Sequence, residues 1–358
     1  MAPDSARALA AFERALARYT QQPAALALPS SASARSLALH LLGLRTGDEL
    51  WLPSASVPGS LATSSELDLR PVFVDSEARS WNLDPERLGE GLARADARGR
   101  LPKAVLVADR LGQCADWDPI RSLCAAYGVP LLEDASEALG ASYRGHPSGS
   151  FGRLGVLCFG PGKLLSCGGG GALVGEVELI ARARRLLAEL PGLVAVSGLL
   201  ARCFTNFGLA QLDRLEQLVD EQRASFSRYA AGLRDLPRLE PMPEPPSWRS
   251  TRWRSAISLD PHRFGLSARA LRERLAASGF DARELELPAH SHPEFATCRR
   301  IGGEVAERLA AQTLCLPSGA RLSRAGGERA IKVTRIAHHH ARSCVSMNPR
   351  PLDHRRSA

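Results

Sequence analysis

Between residues 71 and 134, short apolar runs alternate with amphipathic helical stretches, and that alternation most constrains the fold. Pro71–Asp75, Ala104–Ala108 and Val129–Glu133, the last leading into Asp134, carry no period-two pattern of apolar and polar residues. Strands that are apolar on both faces belong inside a sheet covered by helices on each side, which predicts a buried, mostly parallel sheet. The stretch from Asp84 to about Ala97, with Pro85 in its first turn, and the stretch 117–127 supply helices between them. Upstream, Leu9, Phe12, Leu16 and Tyr19 repeat at helical spacing over residues 5–19. Ser30-Ser31-Ala32-Ser33 then precedes an apolar helix through Leu37–Leu42, and Glu49–Pro53 reads as a short strand. In such sheets ligands bind beyond the carboxyl ends of the strands, where Asp134 falls.

Past Gly152 the pattern changes. Val156–Phe159 reads as a strand, followed by Gly160-Pro161-Gly162-Lys163, the run Gly168–Gly171 and a second strand at Ala172–Val174. A helical region spans about 208–235, and Pro241–Pro246 makes a linker before a smaller α+β module. These features divide the chain of 358 residues into a large domain over 1–236, a small domain over 237–337 and a polar tail over 338–358 that contains His338-His339-His340.

The formal charge is +8, yet the basic residues are dispersed and aromatics make up only 5% of the chain, which disfavours a nucleic-acid partner. No apolar run is long enough to cross a bilayer and the amino-terminal segment is no secretory signal, so a cytoplasmic protein is expected. The eight cysteines form no Cys-x-x-Cys pair, which argues against a zinc knuckle or redox motif. More informative is a scarcity. The chain has three lysines, Lys103, Lys163 and Lys332, against 43 arginines.

Lys163 alone of the three lies in a glycine-framed loop. Glycine lets backbone approach a ligand closely, and an amine that loses its proton can attack a carbonyl where a guanidinium cannot. Lys163 therefore reads either as a Schiff-base lysine or as a surface lysine in a turn. Asp134, at a strand end, suits a partner for a protonated heterocyclic nitrogen, and with Glu137 it also fits a helix capping box. Ser30–Ser33 offers hydroxyls and free N–H groups to a phosphate, or an ordinary helix N-cap.

Taken together, these segments resemble the DegT/DnrJ/EryC1/StrS sugar aminotransferases. The most specific stretch is EDASEALGASYRGHPSGSFGRLGVLCFGPGKLLSCGGGGALV at 133–174, and GDELWLP (47–53), PVFVD with WNLDPERL (71–88), LGQCADWDPI (111–120), GLAQLDRLEQL (208–218) and LPAHSHPEF (287–295) also match. The resemblance runs over about 8–335. It implies the pyridoxal-phosphate fold of the aspartate-aminotransferase type (fold type I) and a homodimer. It also implies transfer of an amino group, with glutamate as donor, to a nucleotide-linked keto-sugar in polysaccharide or secondary-metabolite synthesis. Carried over by position, Lys163 anchors the cofactor and moves the proton, Asp134 partners the ring nitrogen and Glu137 lies beside the ring hydroxyl. Ser31, Ala32 and Cys158 fall on phosphate-contacting positions, and His290 falls on a small-domain histidine near the substrate entrance. A lysine at 163 argues against the family's dehydratase branch, which has histidine there.

The chain also departs from the family pattern. Ser30-Ser31-Ala32 replaces Ser-Gly-Thr, Val57 stands where an aromatic stacks on the ring, and Cys158 replaces a serine. Ser197–Leu200 replaces an Asn-x-Arg-Met segment, and Gly169 replaces an acid. An aminotransferase and a catalytically degenerate homologue that binds a partner or ligand in the old pocket are thus both open at the level of sequence.

Overall fold

Burial on both faces explains why the apolar runs become strands. In the computed structural model, which describes residues 3–55, 58–189, 205–237, 239–319 and 322–346, they build one eight-stranded sheet. Its long strands are β1 (Ala24–Leu28), β2 (Glu49–Pro53), β3 (Arg70–Val74), β4 (Ala104–Ala108), β5 (Leu131–Asp134), β6 (Leu154–Cys158) and β7 (Gly171–Gly175). They lie in the order β1-β7-β6-β5-β4-β2-β3, and the two-residue strand Arg300–Ile301 closes the β3 edge. From β6 across to that edge every pairing is parallel, while β7 runs antiparallel to both β6 and β1. The sheet is therefore mostly parallel with one reversed strand, as an α/β fold of this type requires.

Side-chain alternation sorts the strands onto two layers. Leu106 and Leu132 face a cluster with Leu37, Ala38 and Leu39 of the helix Ser31–Leu41, whereas Val105, Val107 and Leu131 face one with Leu88, Leu92 and Ile120. In chain order, the helices that matter to the site are α1 (Ser31–Leu41), α2 (Pro58–Glu66), α3 (Pro85–Asp96) and α4 (Trp117–Ala126). Asp84 caps α3 by accepting from the backbone of Glu86, with Pro85 at its start. The amino-terminal helix Pro3–Tyr19 packs Phe12 edge-on against Phe159, beneath the loop that carries Lys163.

The smaller module holds a four-stranded sheet in which Ser255–Leu259 pairs antiparallel with Leu239–Pro241 and with Thr313–Leu316. Two features depart from the sequence reading. The region 208–235 breaks near 213–214, and the second piece, Leu215–Leu233, sends Tyr229 and Leu233 into the core of the small module beside Ile257, Phe264 and Leu271. This helix belongs to both domains, so the chain does not part cleanly at 236. The polar tail read from 338 starts too early as well. Helix Arg324–Ser346 runs through it because His338 is buried, with Nδ1 2.7 Å from the carbonyl oxygen of Phe264. No cluster of three or more His, Cys, Asp or Glu side chains that would hold a metal exists among the described residues. Nor is any described helix long and apolar enough to cross a membrane. Val57 and Ser197–Leu200 lie outside the described residues.

Candidate active site

The carboxyl ends of β4, β5 and β6 converge on one face of the sheet, with Asp134 aligned to Ala108 on one side and Val156 on the other. Asp134 is buried and its polar atoms are fully engaged. Oδ2 lies 3.2 Å from Nη1 of Arg35 and accepts from the Ser60 hydroxyl at 2.7 Å, while Oδ1 accepts from the Ser136 backbone at 3.1 Å. Burial alone pushes its carboxyl up, but the Arg35 guanidinium, helped by Ser136 and Ser60, outweighs it and holds Asp134 below the usual carboxylate range. Asp134 is therefore ionised although sealed from water.

The capping-box reading of Asp134 and Glu137 fails, because no helix follows β5 and the Glu137 side chain turns elsewhere. One Glu137 oxygen accepts from the Leu111 backbone at 3.1 Å, and the other lies 3.4 Å from Nζ of Lys163. Burial raises the Glu137 carboxyl, but Lys163 and Arg110 together bring it below its ordinary value.

Lys163 sits where the sequence places it, in a loop closed by bonds from Cys167 N to Phe159 O at 2.9 Å and from Phe159 N to Gly170 O at 3.0 Å. Gln211 pins the far side of that loop by accepting from Ser166 N at 3.1 Å and donating to Ser166 O at 2.6 Å. The Lys163 ammonium lies 4.8 Å from the centre of the Trp253 ring, and its side chain keeps 20% of its surface exposed. The amine is thus oriented by a carboxylate and an aromatic face, yet reachable.

At the start of α1, Ser30 caps the helix by accepting from Ser33 N at 3.0 Å. Ser31 and Ala32 form the first turn, half-buried and exposed respectively. The glycine run brings this turn against β7. Ser30 bridges to Gly170, and a Cβ on Gly171 would stand 2.6 Å from Ser31 N, so only glycine fits there. The helix-cap reading of this segment is thus observed, and the first-turn N–H groups of such a helix start lack partners within the helix. Cys158 ends β6 half-buried.

His290 is the candidate that stands apart. It occupies the turn Ala289–Ser291 beside the end of β2, where Ala289 N donates to Ser54 O at 2.7 Å, and its Nε2 lies 3.0 Å from Oε1 of Glu307. Among the described residues its polar contact is with Glu307, not with Lys163, Asp134 or Glu137.

Several residues of the site escaped the sequence reading. Arg35 and Ser60 bond Asp134, Trp253 lies against Lys163, and the charge of Arg110 bears on Glu137. The one visible signal was Arg35, a charge set in the apolar run of α1. Three buried donors around the site, Nε of Arg35, Nε of Arg110 and Nε1 of Trp253, have no partner among the described residues. Unpaired buried donors beside an oriented amine suit an anionic carbonyl compound better than an apolar ligand.

Known proteins place the whole chain in a family. A model of the DegT/DnrJ/EryC1/StrS aminotransferase family matches residues 4–334. EpsN of Bacillus subtilis (strain 168), named provisionally as a pyridoxal phosphate-dependent aminotransferase, is 36% identical over 335 residues, which cover 90% of this chain and 86% of EpsN. The dTDP-3-amino-3,4,6-trideoxy-alpha-D-glucose transaminase of Streptomyces venezuelae is 30% identical, covering 91% of this chain and 86% of its own. The crystal structure of a DegT DnrJ EryC1 StrS aminotransferase from Brucella abortus superposes with a TM-score of 0.83 at 25% identity, over 92% of this chain and 90% of that one. With the family model spanning nearly its whole length and a relative 36% identical over 90% of it, this chain belongs to the DegT/DnrJ/EryC1/StrS family of pyridoxal-phosphate aminotransferases.

Proposed function

We propose that the protein transfers an amino group, with glutamate as donor, to a nucleotide-linked keto-sugar, working as a homodimer. The observation that carries this reading is Lys163, a reachable amine held by Glu137 and Trp253, with Glu137 three residues on from the buried, ionised Asp134. The fit to pyridoxal phosphate follows from the residues themselves. Lys163 would hold the cofactor covalently through Nζ, Asp134 would face its ring nitrogen and Glu137 would lie beside its ring hydroxyl. The free N–H groups of Ser31 and Ala32 at the start of α1 would take its phosphate, because that helix end carries a partial positive charge. Cys158, at the end of β6, would lie near the same phosphate and contribute a weak donor only. When bound, the cofactor supplies an electron sink that lets a proton leave the carbon bearing the amino group.

The chain's own groups divide the remaining work. Lys163 Nζ takes and returns the proton, and Glu137 keeps that nitrogen aimed while its own charge is steadied by Arg110. Trp253, 7% exposed, keeps water from the back of the amine. His290 would border the sugar entrance, held by Glu307. The keto-sugar reading draws support from the Streptomyces venezuelae transaminase, whose name specifies an amino sugar carried on a nucleotide. The homodimer draws support from an apolar groove of about 390 Å³ along α1, lined by Leu37, Leu67, Leu186 and Leu187.

The test is direct. Pyridoxal phosphate added to the purified protein should give a yellow absorbance that Lys163→Ala abolishes. Glutamate and a panel of nucleotide keto-sugars should then yield one aminated sugar. A coloured protein that aminates no member of the panel would remove the substrate assignment and leave the cofactor site standing.

A further inference from the structure

Arg110 is a buried cation whose counter-ion sits in the open. Its side chain is 5% exposed, while that of Glu286, 3.2 Å from Nη2, is 57% exposed. Its Nε is buried and has no partner among the described residues. The turn that carries it is fixed on three sides. Its backbone N–H donates to Asn82 Oδ1 at 2.9 Å, and the buried Asn82 also donates to the carbonyl oxygens of Gln113 and Cys114. The next N–H, of Leu111, donates to Glu137 at 3.1 Å, and Gly112 O accepts from Thr251 N at 2.8 Å. A Cβ on Gly112 would stand 2.7 Å from Cδ1 of Trp253, so the turn lies against the ring that flanks Lys163. Glu286 has no such frame. It belongs to the irregular stretch 285–288, between the strand Arg283–Glu284 and the turn Ala289–Ser291, next to Leu287 at 61% exposure.

We propose that Arg110 receives a carboxylate of the amino-acid donor, and that Glu286 is a stand-in which the donor displaces and which returns when the uncharged sugar ring takes the same place. The proposal rests on the two-substrate reading above, in which one site must take an acid and then a neutral ring. The energetics favour exchange at Glu286. An exposed carboxylate gains little from an ion pair, about fivefold or less in an equilibrium constant. A buried guanidinium cannot be left without a counter-ion, and its planar fork of five donors suits a bidentate carboxylate, of which Glu286 takes the Nη2 contact. Arg254, 4.4 Å from the centre of the Trp253 ring and without an ion pair among the described residues, adds a second positive charge nearby. The Cys315 thiol, pushed up to about 11 by burial first of all, feels Arg254, Glu137, Arg110 and Glu286 in turn, so these four charges surround one spot. Without Glu286, Arg110 would stand uncompensated against a neutral ring.

The test uses the whole protein loaded with pyridoxal phosphate, with glutarate as probe, a dicarboxylate that has no amino group to transfer, and calorimetry as readout. Wild type should bind glutarate, Glu286→Gln should bind it about two- to fivefold more tightly, and Arg110→Met at least about tenfold more weakly. Arg110→Lys, which keeps a cation without the fork, should fall between wild type and Arg110→Met. Steady-state rates read the other half. Glu286→Gln should lower the KM for glutamate and raise that for the keto-sugar, opposite signs that a general loosening of the site would not give. A wild type that does not bind glutarate overturns the proposal, as does an affinity unchanged in both variants, or KM values that move in the same direction. If glutarate responds as stated while no keto-sugar is aminated, Arg110 stands as the receiver of acids and the substrate reading falls instead. Should Arg110→Met not fold, Glu286→Gln decides alone, because glutarate binding no tighter than wild type overturns the proposal.

Discussion

Replacing Arg35 with methionine should make the stability of the cofactor-free protein depend on pH in a way the wild type does not. Methionine keeps most of the arginine stem and removes the cation from a pair whose side chains are 4% and 0% exposed. Removing one partner of a buried pair costs about 3–5 kcal/mol. The sign with pH follows from Asp134. With Arg35 present its folded value lies below the unfolded value of about 3.9, so its contribution is full above that pH and is lost as pH falls through the folded value. Without Arg35, burial prevails over the two remaining hydrogen bonds from Ser60 and Ser136 and raises the folded value above the unfolded one. That contribution is present in acid and is lost as pH rises. The gap between variant and wild type should therefore be widest near pH 8 and close by about 1.4 kcal/mol per pH unit across the interval between the two folded values. Urea unfolding at several pH values between about 5 and 8, followed by tryptophan fluorescence, measures it. A gap that stays constant across that range, or that is below about 1 kcal/mol at pH 8, would refute the reasoning.

Three further outcomes follow from the site. Lys163→Arg keeps the cation beside Glu137, so the protein should fold within about 1 kcal/mol of wild type yet show no yellow absorbance with pyridoxal phosphate; a retained band would mean another group anchors the cofactor. Gly171→Ala drives a Cβ to 2.6 Å from Ser31 N and 2.7 Å from Ser30 C, so the start of α1 must move off β7. The expected cost is about 1–3 kcal/mol by thermal unfolding together with weaker phosphate binding, and a variant as stable and as avid as wild type would contradict the packing. Gln211→Ala removes both bonds to Ser166 at the far side of the Lys163 loop, and cofactor affinity measured by spectrophotometric titration should fall more than stability does.

How much of this was legible before the structure depends on whether a residue's role is local. Glu49–Pro53 and Ala104–Ala108 coincide with the strands observed, because a strand buried on both faces announces itself by composition alone. Lys163 and Asp134 were legible because a glycine frame and a strand end are local signals. Ala24–Leu28 was not, since an Ala-Leu run favours helix intrinsically and becomes a strand only by pairing with β7. The pairing of Arg35 was illegible for the same reason at the level of side chains: its charge stood out in an apolar run, but its partner is 99 residues away in sequence. His338 looked like tail because a histidine run is polar, and only the carbonyl oxygen of Phe264, 74 residues upstream, explains its burial.

The end of β5 shows why the distant cation matters more than burial itself. Glu133 and Asp134 are consecutive, both sealed from water, and point to opposite faces because a strand alternates. On one face Glu133 meets no cation among the described residues. It accepts from the backbones of Gly149, Phe151 and Gly152, and burial still raises its carboxyl, with Asp109 alongside raised well above its ordinary value by burial and by Glu133. That pair can tie the 149–152 loop to the sheet, but a carboxyl held toward its neutral form makes a poor partner for a cationic ligand. On the other face Arg35 reverses the balance for Asp134, and the same strand presents a permanent negative charge to the site. Two adjacent acids in one strand thus acquire different functions from what stands opposite them, and the helix that supplies Arg35 is also the one whose first turn faces the glycine run. Any movement of α1 would therefore be felt at both Asp134 and Ser31, which couples the charge of the acid to the position of that first turn.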